Sequence, residues 1–298
     1  MLGLRFLPES LAYGGFAMLG QTYFLLSRRR RDYARRFLRQ AFPDRPDKEL
    51  MQIGRRSTGN FFKVVLDMLR VNRVLSRGEL LQHLEGREEF VQSLPNAPVL
   101  MVTGHLGSWE IGGVCVAALC GESHAVARTF KNPLLQRLLA HSRRATGLHL
   151  HSRRGGIRSL ARALKNGAVA MQAVDQNQRL RGVFVPYFGK LASTERAAAT
   201  LAVREGYPVA VCFCLRIGSG FRFRLDPIKL IRPEVPSDRA AVPGAVKRLV
   251  LEINRHLEEA VLRYPEQYLW IHDRYRTQPN QQLEESLDEL DALVPKTE

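Results

Sequence analysis

The stretch Val-Leu-Met-Val-Thr-Gly-His-Leu-Gly-Ser-Trp-Glu-Ile-Gly-Gly at 99–113 constrains the fold more than any other part of the chain. An apolar run of strand length stops at a glycine-flanked histidine, His105, and an apolar, helix-like segment begins four or five residues later. That order predicts strand, tight turn and helix, with His105 at the carboxyl end of a strand, where open α/β sheets bind their ligands. Gly104 and Gly107 permit backbone angles closed to other residues and are expected to leave room for a substrate. The N–H groups of the turn, or a nearby arginine, are candidate donors to a developing oxyanion. Ser108 fits a helix N-cap, and Glu110 falls in the first turn. His105 and Glu110 are thereby predicted to lie close together. A carboxylate on one imidazole nitrogen fixes the tautomer and makes the other nitrogen a better proton acceptor, as in the His-Asp half of a serine-protease triad. The hydroxyl would then come from the substrate. The plainer alternative makes His105 a hydrogen-bonded turn residue and Glu110 a complement to the helix dipole.

Downstream, strand and helix patterns alternate. Strands are expected near 125–128, at 148–151, 168–174 and 208–215, and helices at about 109–120, 133–146, 156–165, 194–205 and 241–263. Such alternation predicts an α/β fold: a mostly parallel sheet flanked by helices. Phe221-Arg222-Phe223-Arg224-Leu225 alternates like a half-exposed strand and is expected to form an antiparallel edge. The tail beyond Gln278 is polar and acidic and is expected to fray.

The N-terminus is organised differently. Residues 11–27 are uncharged but contain three glycines and a glutamine, and a helix there would only just reach the lower length limit for a bilayer span. A membrane anchor or interfacial helix is one reading, and an amphipathic helix packed on the body is the other. Four arginines, 28–31, follow at once, as expected when the body lies on the cytoplasmic side of a membrane beside anionic lipid. The expected organisation is therefore an anchor or interfacial helix at 1–31, a helical lead-in at 32–80 broken near Phe42-Pro43-Asp44-Arg45-Pro46, an α/β domain at 81–278, and a polar tail at 279–298. The formal charge of +16 implies an anionic partner. Neither a basic-aromatic RNA motif nor a zinc-finger spacing accompanies the arginine pairs, so nucleic acid is not expected and a membrane surface or acidic substrate is. Cys115, Cys120, Cys212 and Cys214 lie inside apolar runs and read as buried small hydrophobes rather than metal ligands.

Thr103-Gly-His-Leu-Gly-Ser-Trp-Glu110 resembles the His-x4-acidic box of the glycerolipid acyltransferases. It is closest to the version in the lipid A biosynthesis (late) acyltransferase family, which also includes phosphatidylinositol-mannoside acyltransferases. Further stretches carry the same resemblance: Arg128, Asn132-Pro133 and Arg143-Arg144; Asp175-Gln176 with Gly182-Val-Phe-Val-Pro-Tyr-Phe-Gly189; and Pro265 to Arg274. Arg39 to Pro43 matches in part. The resemblance implies His105 as general base poised by Glu110, and direct acyl transfer that needs no metal or bound cofactor. It implies acyl carrier protein as the donor, with acyl-CoA as the alternative. The implied acceptor is a lipid A precursor or related anionic glycolipid or phospholipid, at the cytoplasmic face of the bacterial inner membrane.

Arg128, Asn132, Arg143, Arg144, Asp175 and Gln176 are the implied substrate-binding set. Arg128 is the first choice, since a guanidinium can fork onto phosphate. Asp175 is a candidate to orient the catalytic loop or an arginine, and Phe184, Pro186 and Phe188 are candidates to line an acyl groove. Two rival classes remain at this stage. A lipid-binding protein of the same fold would not need the His/Glu pair. A dinucleotide enzyme would need the Gly-x-Gly-x-x-Gly spacing, which this turn lacks.

Overall fold

The computed structural model describes residues 8–96, 98–127, 141–153 and 155–279. Three helices lead: α1 (Glu9–Leu26), α2 (Arg28–Ala41) and α3 (Asp47–Ser76), the last two separated at the Phe42–Pro46 break. The α/β portion then runs β1 (Leu84–Glu85), α4 (Arg87–Ser93), β2 (Leu100–Thr103), α5 (Trp109–Cys120), β3 (Ser123–Val126), β4 (Leu148–His151), α6 (Gly156–Lys165), β5 (Val169–Ala173), β6 (Val183–Tyr187), β7 (Lys190–Thr194), α7 (Ala197–Glu205), β8 (Val209–Arg216), β9 (Phe223–Ile231) and α8 (Val242–Arg263).

Seven strands form one sheet in the order β1-β9-β8-β2-β5-β3-β4, and β6 pairs with β7 as a separate antiparallel hairpin. Every pairing in the large sheet is parallel except β8 with β9. The mostly parallel α/β fold is thus as the sequence predicts. The antiparallel strand is present but is not the edge, because the two-residue β1 pairs along its outer side.

Strand periodicity divides the core. Leu100, Val102, Ala170, Val209 and Val211 point to the face covered by α6, α7 and α8, with Leu160, Ala198, Leu249 and Ile253 among the contacts. Their neighbours Met101, Val169, Met171, Ala210 and Cys212 point to the opposite face, toward α5 and the layer holding Leu66 and Phe90. Strands buried on both faces read as unbroken apolar runs, which is why 99–102 and 209–215 do. All four cysteines are reduced, and three of them are buried.

Helix α1 lies against α3, where a Cβ on Gly20 would collide with the Thr58 carbonyl, so glycine sets the close approach. Tyr13 and Phe24 are fully buried there. No helix among the described residues is long and apolar enough to cross a membrane, which removes the spanning reading of residues 11–27. Pro265 to Arg274 runs along the loops that leave β2 and β5, with hydrogen bonds to His105, Gly107 and Asn177. Trp270 is completely buried, and the Arg274 guanidinium donates to Ser193 O and Thr194 Oγ1, so this stretch braces the β6–β7 hairpin.

Candidate active site

The turn after β2 is stitched into the body on both sides. Gly107 adopts φ 66°, and a Cβ there would overlap the Cys214 carbonyl, so only glycine fits. The Ser108 N–H donates to Cys214 O (2.8 Å), the Gly107 N–H to Gln267 O (3.1 Å), and the Leu269 N–H to His105 O (3.1 Å). Three consequences differ from the sequence expectation. The space left by Gly104 serves Asp175, whose Oδ2 would lie 3.1 Å from a Cβ at that position, rather than a substrate. The Gly107 gap is taken up by β8. The N–H groups of His105, Gly107 and Ser108 are all engaged inside the fold, so they are not available to an oxyanion.

The carboxylate that holds His105 is Asp175, not Glu110. Asp175 Oδ1 lies 2.7 Å from His105 Nδ1, and Oδ2 accepts the His105 backbone N–H at 2.7 Å. The reason is topological: β2 and β5 are parallel neighbours, so the loops leaving their carboxyl ends meet. Asp175 is buried, with 3% of its surface exposed. With Nδ1–H donated to Asp175, Nε2 keeps its lone pair, and the Gln176 amide nitrogen stands 3.0 Å from it.

Burial alone would lower the His105 pKa, but the Asp175 charge and hydrogen bond, with Glu110 adding, carry it above the ordinary imidazole value. Asp175 moves the other way: burial pushes it up, and His105, with the hydrogen bonds between them, pulls it below the usual carboxylate range. His272 accepts the Asn177 N–H at Nε2 (3.1 Å), and burial first of all drops its pKa to about 4, keeping it neutral.

Glu110 sits in the first turn of α5 and pairs with Arg143 at 2.9 Å, across the mouth of a cavity that both residues line. Arg143 is buried and Arg144 exposed, as adjacent helical residues pointing apart should be. Arg128 and Asn132 lie outside the described residues.

That cavity, of about 540 Å³, runs from His105 beneath α5 and over the sheet. Met101, Val116, Met171, Cys212, Leu148 and Leu150 make its deep part apolar. Gly112 lets α5 pack closely on β8, since a Cβ there would lie 2.8 Å from Cys214 Cβ, and Gly113 leaves cavity space that a Cβ would begin to fill, 3.5 Å from Leu148 Cδ2. Phe184, Pro186 and Phe188 do not line it. They belong to the β6–β7 hairpin, where Phe188 packs on Phe37 and Trp270, the Phe188 N–H donates to Glu258 Oε1 (2.7 Å), and Pro186 O accepts from Asn254 (2.9 Å). Core and ligand-facing apolar residues look alike in sequence, so such an aromatic run does not by itself mark a groove.

A second, polar cleft of about 680 Å³ adjoins the first, sharing Arg153 and Gln176, and is lined by Arg158, Arg181, Arg196 and Arg204 together with Glu195 and Glu205. Sequence reasoning also missed a buried knot behind the turn. Asp67 on α3 accepts hydrogen bonds from Tyr13 Oη (2.6 Å), Ser108 Oγ (2.8 Å) and the Arg216 guanidinium. Burial raises the Asp67 pKa while Arg216 opposes it. The signal was present in Val64-Val-Leu-Asp-Met-Leu69, a lone acid within an apolar helical face.

A family model described as bacterial lipid A biosynthesis acyltransferase matches residues 1–277. The chain belongs to that family. It is 26% identical over 289 residues to a lipid A biosynthesis palmitoleoyltransferase of Escherichia coli (strain K12), covering 93% of this chain and 90% of that one. It is 23% identical, also over 289 residues, to a lipid A biosynthesis lauroyltransferase of the same strain, covering 92% and 88%. The match extends over the lead-in helices as well as the α/β portion, and the chain is an acyltransferase, as its sequence resemblance implied.

Proposed function

We propose that this acyltransferase moves a fatty acyl group from an acyl thioester onto a hydroxyl of a lipid A precursor or related glycolipid at a membrane surface, with His105 as general base. The observation that carries the reading is the Asp175–His105–Gln176 array, placed where an apolar cavity meets a basic cleft.

The acyl chain enters the cavity beneath α5, which brings its thioester carbonyl to His105. The acceptor's anionic groups lie along the arginines of the second cleft. Nε2 takes the proton of the acceptor hydroxyl as the oxygen attacks the carbonyl. Asp175 holds the imidazolium that forms, and the tetrahedral intermediate collapses with the thiolate leaving and taking the proton back. The His105, Gly107 and Ser108 N–H groups are committed elsewhere, and the Gln176 amide, displaced from Nε2 by the incoming hydroxyl, is placed to donate to the oxyanion. Glu110 acts through Arg143, shaping the mouth of the cavity and adding to the field that makes His105 basic.

An acidic acyl carrier protein suits the basic surface better than a small thioester needs, and is the donor we favour over acyl-CoA. A cytoplasmic-face location at the inner membrane fits a lipid A precursor as acceptor and the exposed apolar stripe of α1, which includes Leu11, Met18 and Leu25.

The test uses the full chain with acyl carrier thioester or acyl-CoA and with lipid A precursor or phospholipid acceptors, products read by mass spectrometry. Transfer to the lipid A precursor from the carrier thioester, abolished in His105→Ala with the fold retained, is expected. Near-full activity of His105→Ala in a clean preparation would overturn the mechanism.

A further inference from the structure

The outer edge of the sheet carries a histidine cluster that acyl transfer does not use. Strands β3 and β4 pair in parallel, with His124 opposite His149 and Val126 opposite His151. Alternation sends Ala125, Leu148 and Leu150 toward the cavity, which they line, and therefore sends His124, His149 and His151 to the other side. The turn before β3 adds Glu122. His124 Nε2 is 2.9 Å from Glu122 Oε1, His149 Nε2 is 4.0 Å from the same oxygen, and one ligand atom from each of these three residues lies within 4.8 Å of the others. The His124 ring stacks on both other histidines, at 4.9 Å from His149 and 5.2 Å from His151, and its Nδ1 lies 2.9 Å from His151 Nε2.

We propose that Glu122, His124 and His149 form a binding site for a first-row divalent cation of the zinc class, with water in the remaining position. Two imidazole nitrogens and a carboxylate oxygen are the donor set that zinc accepts, and a three-ligand set leaves a position open. The open side faces solvent, since the side chains of His149 and Glu122 are 56% and 65% exposed. His151 supplies what a ligating histidine ordinarily has, a partner on its other ring nitrogen that fixes the tautomer and leaves the ligating lone pair free. The bound ion ties β3 to β4, the edge pair whose opposite face floors the cavity.

The full chain, stripped with a chelator, is titrated with zinc by calorimetry and with cobalt by absorption. One zinc per chain is expected, and a cobalt spectrum without a thiolate band, because no cysteine is among the ligands. His149→Ala and His124→Ala should abolish this stoichiometric binding, and Glu122→Gln, on an exposed turn where folding is not at stake, should weaken it. His151→Ala should weaken it by about 10–100-fold, the range seen when the partner of a ligating histidine is removed. The zinc-dependent rise in melting temperature should disappear along with binding. Failure of the wild-type chain to bind zinc stoichiometrically would overturn the proposal. So would wild-type affinity in both His149→Ala and Glu122→Gln, which would move the ion to His105 and its surroundings.

Discussion

At the scale of single residues, the central point is which carboxylate meets His105. A residue five positions along a turn and helix is near in sequence, but Asp175, seventy positions away, is nearer in space because parallel strands bring their carboxyl ends together. The residue types of the site were therefore legible, and so was the histidine's placement. Its partner was not, because the strand order that makes β2 and β5 neighbours leaves no local trace in sequence. The charge pairing gives a prediction with a definite sign. The Asp175 carboxylate raises the His105 pKa, and a base works when neutral, so activity should rise with pH through a midpoint above the ordinary imidazole value. Asp175→Asn removes the charge that holds the proton on. Its acid limb should therefore move to lower pH even as turnover falls by roughly 10⁴, the loss seen when the orienting acid of a triad is made an amide. Rate–pH profiles of the two proteins check this, and an acid limb that stays put would take Asp175 out of the role. Gln176→Ala should lower turnover by about 10²–10³ with little change in KM, as loss of an oxyanion donor does. A change in KM alone would instead make Gln176 a binding residue.

At the scale of elements, the same sheet and helices do two jobs. Helix α5 carries the start of the site and, with Gly113 facing the cavity beneath it, leaves space for a chain to lie there. Filling that space should shorten the acyl group accepted. Gly113→Leu puts a helix-favouring side chain against Leu148 and Leu150, and one methylene of misfit in an apolar pocket is worth about 1–3 kcal/mol. The longest accepted thioester should then lose at least about tenfold in kcat/KM, while a chain a few methylenes shorter keeps its value. An equal loss for every chain length would mean the helix itself had been disturbed. The elements were the most legible part of the sequence, from strands at 148–151 and 208–215 to helices at 156–165 and 241–263. What periodicity could not decide was which apolar segments face a ligand. The β6–β7 hairpin looked like a groove lining and is core, held by Glu258, Asn254 and Arg274. The cavity lining, by contrast, is scattered over two helices and six strands, and only packing assembles it.

At the scale of the whole molecule, the proposed membrane contact falls on α1. Its buried side is part of the body: Tyr13 reaches Asp67, which also holds Ser108 beside the catalytic turn, so deleting the helix would uncover Asp67 and Arg216. Its other side presents Leu11, Met18 and Leu25, spaced by seven, with Leu19 and Leu26 beside them, all more than half exposed. A stripe of that period is one helix face, and Arg28 and Arg29 stand exposed just beyond it. Apolar area and basic residues together are what the proposed interfacial anchor requires, each arginine adding about 1 kcal/mol near an anionic surface. Surface substitutions test this without disturbing the knot. Met18→Gln/Leu19→Gln/Leu26→Gln should keep the wild-type melting temperature and the rate on detergent-dispersed acceptor, yet lose most co-sedimentation with anionic vesicles and most activity on bilayer-embedded acceptor. Arg28→Gln/Arg29→Gln should give a smaller loss, which high salt imposes on the wild type too, since screening shortens the reach of surface charge. Because the α1 stripe is the largest run of exposed large apolar side chains among the described residues, wild-type sedimentation of the triple variant would sink the idea. Contact would then have to come from the basic, outward face of α2, where Arg35, Arg36 and Arg39 are exposed, and binding would depend on salt alone.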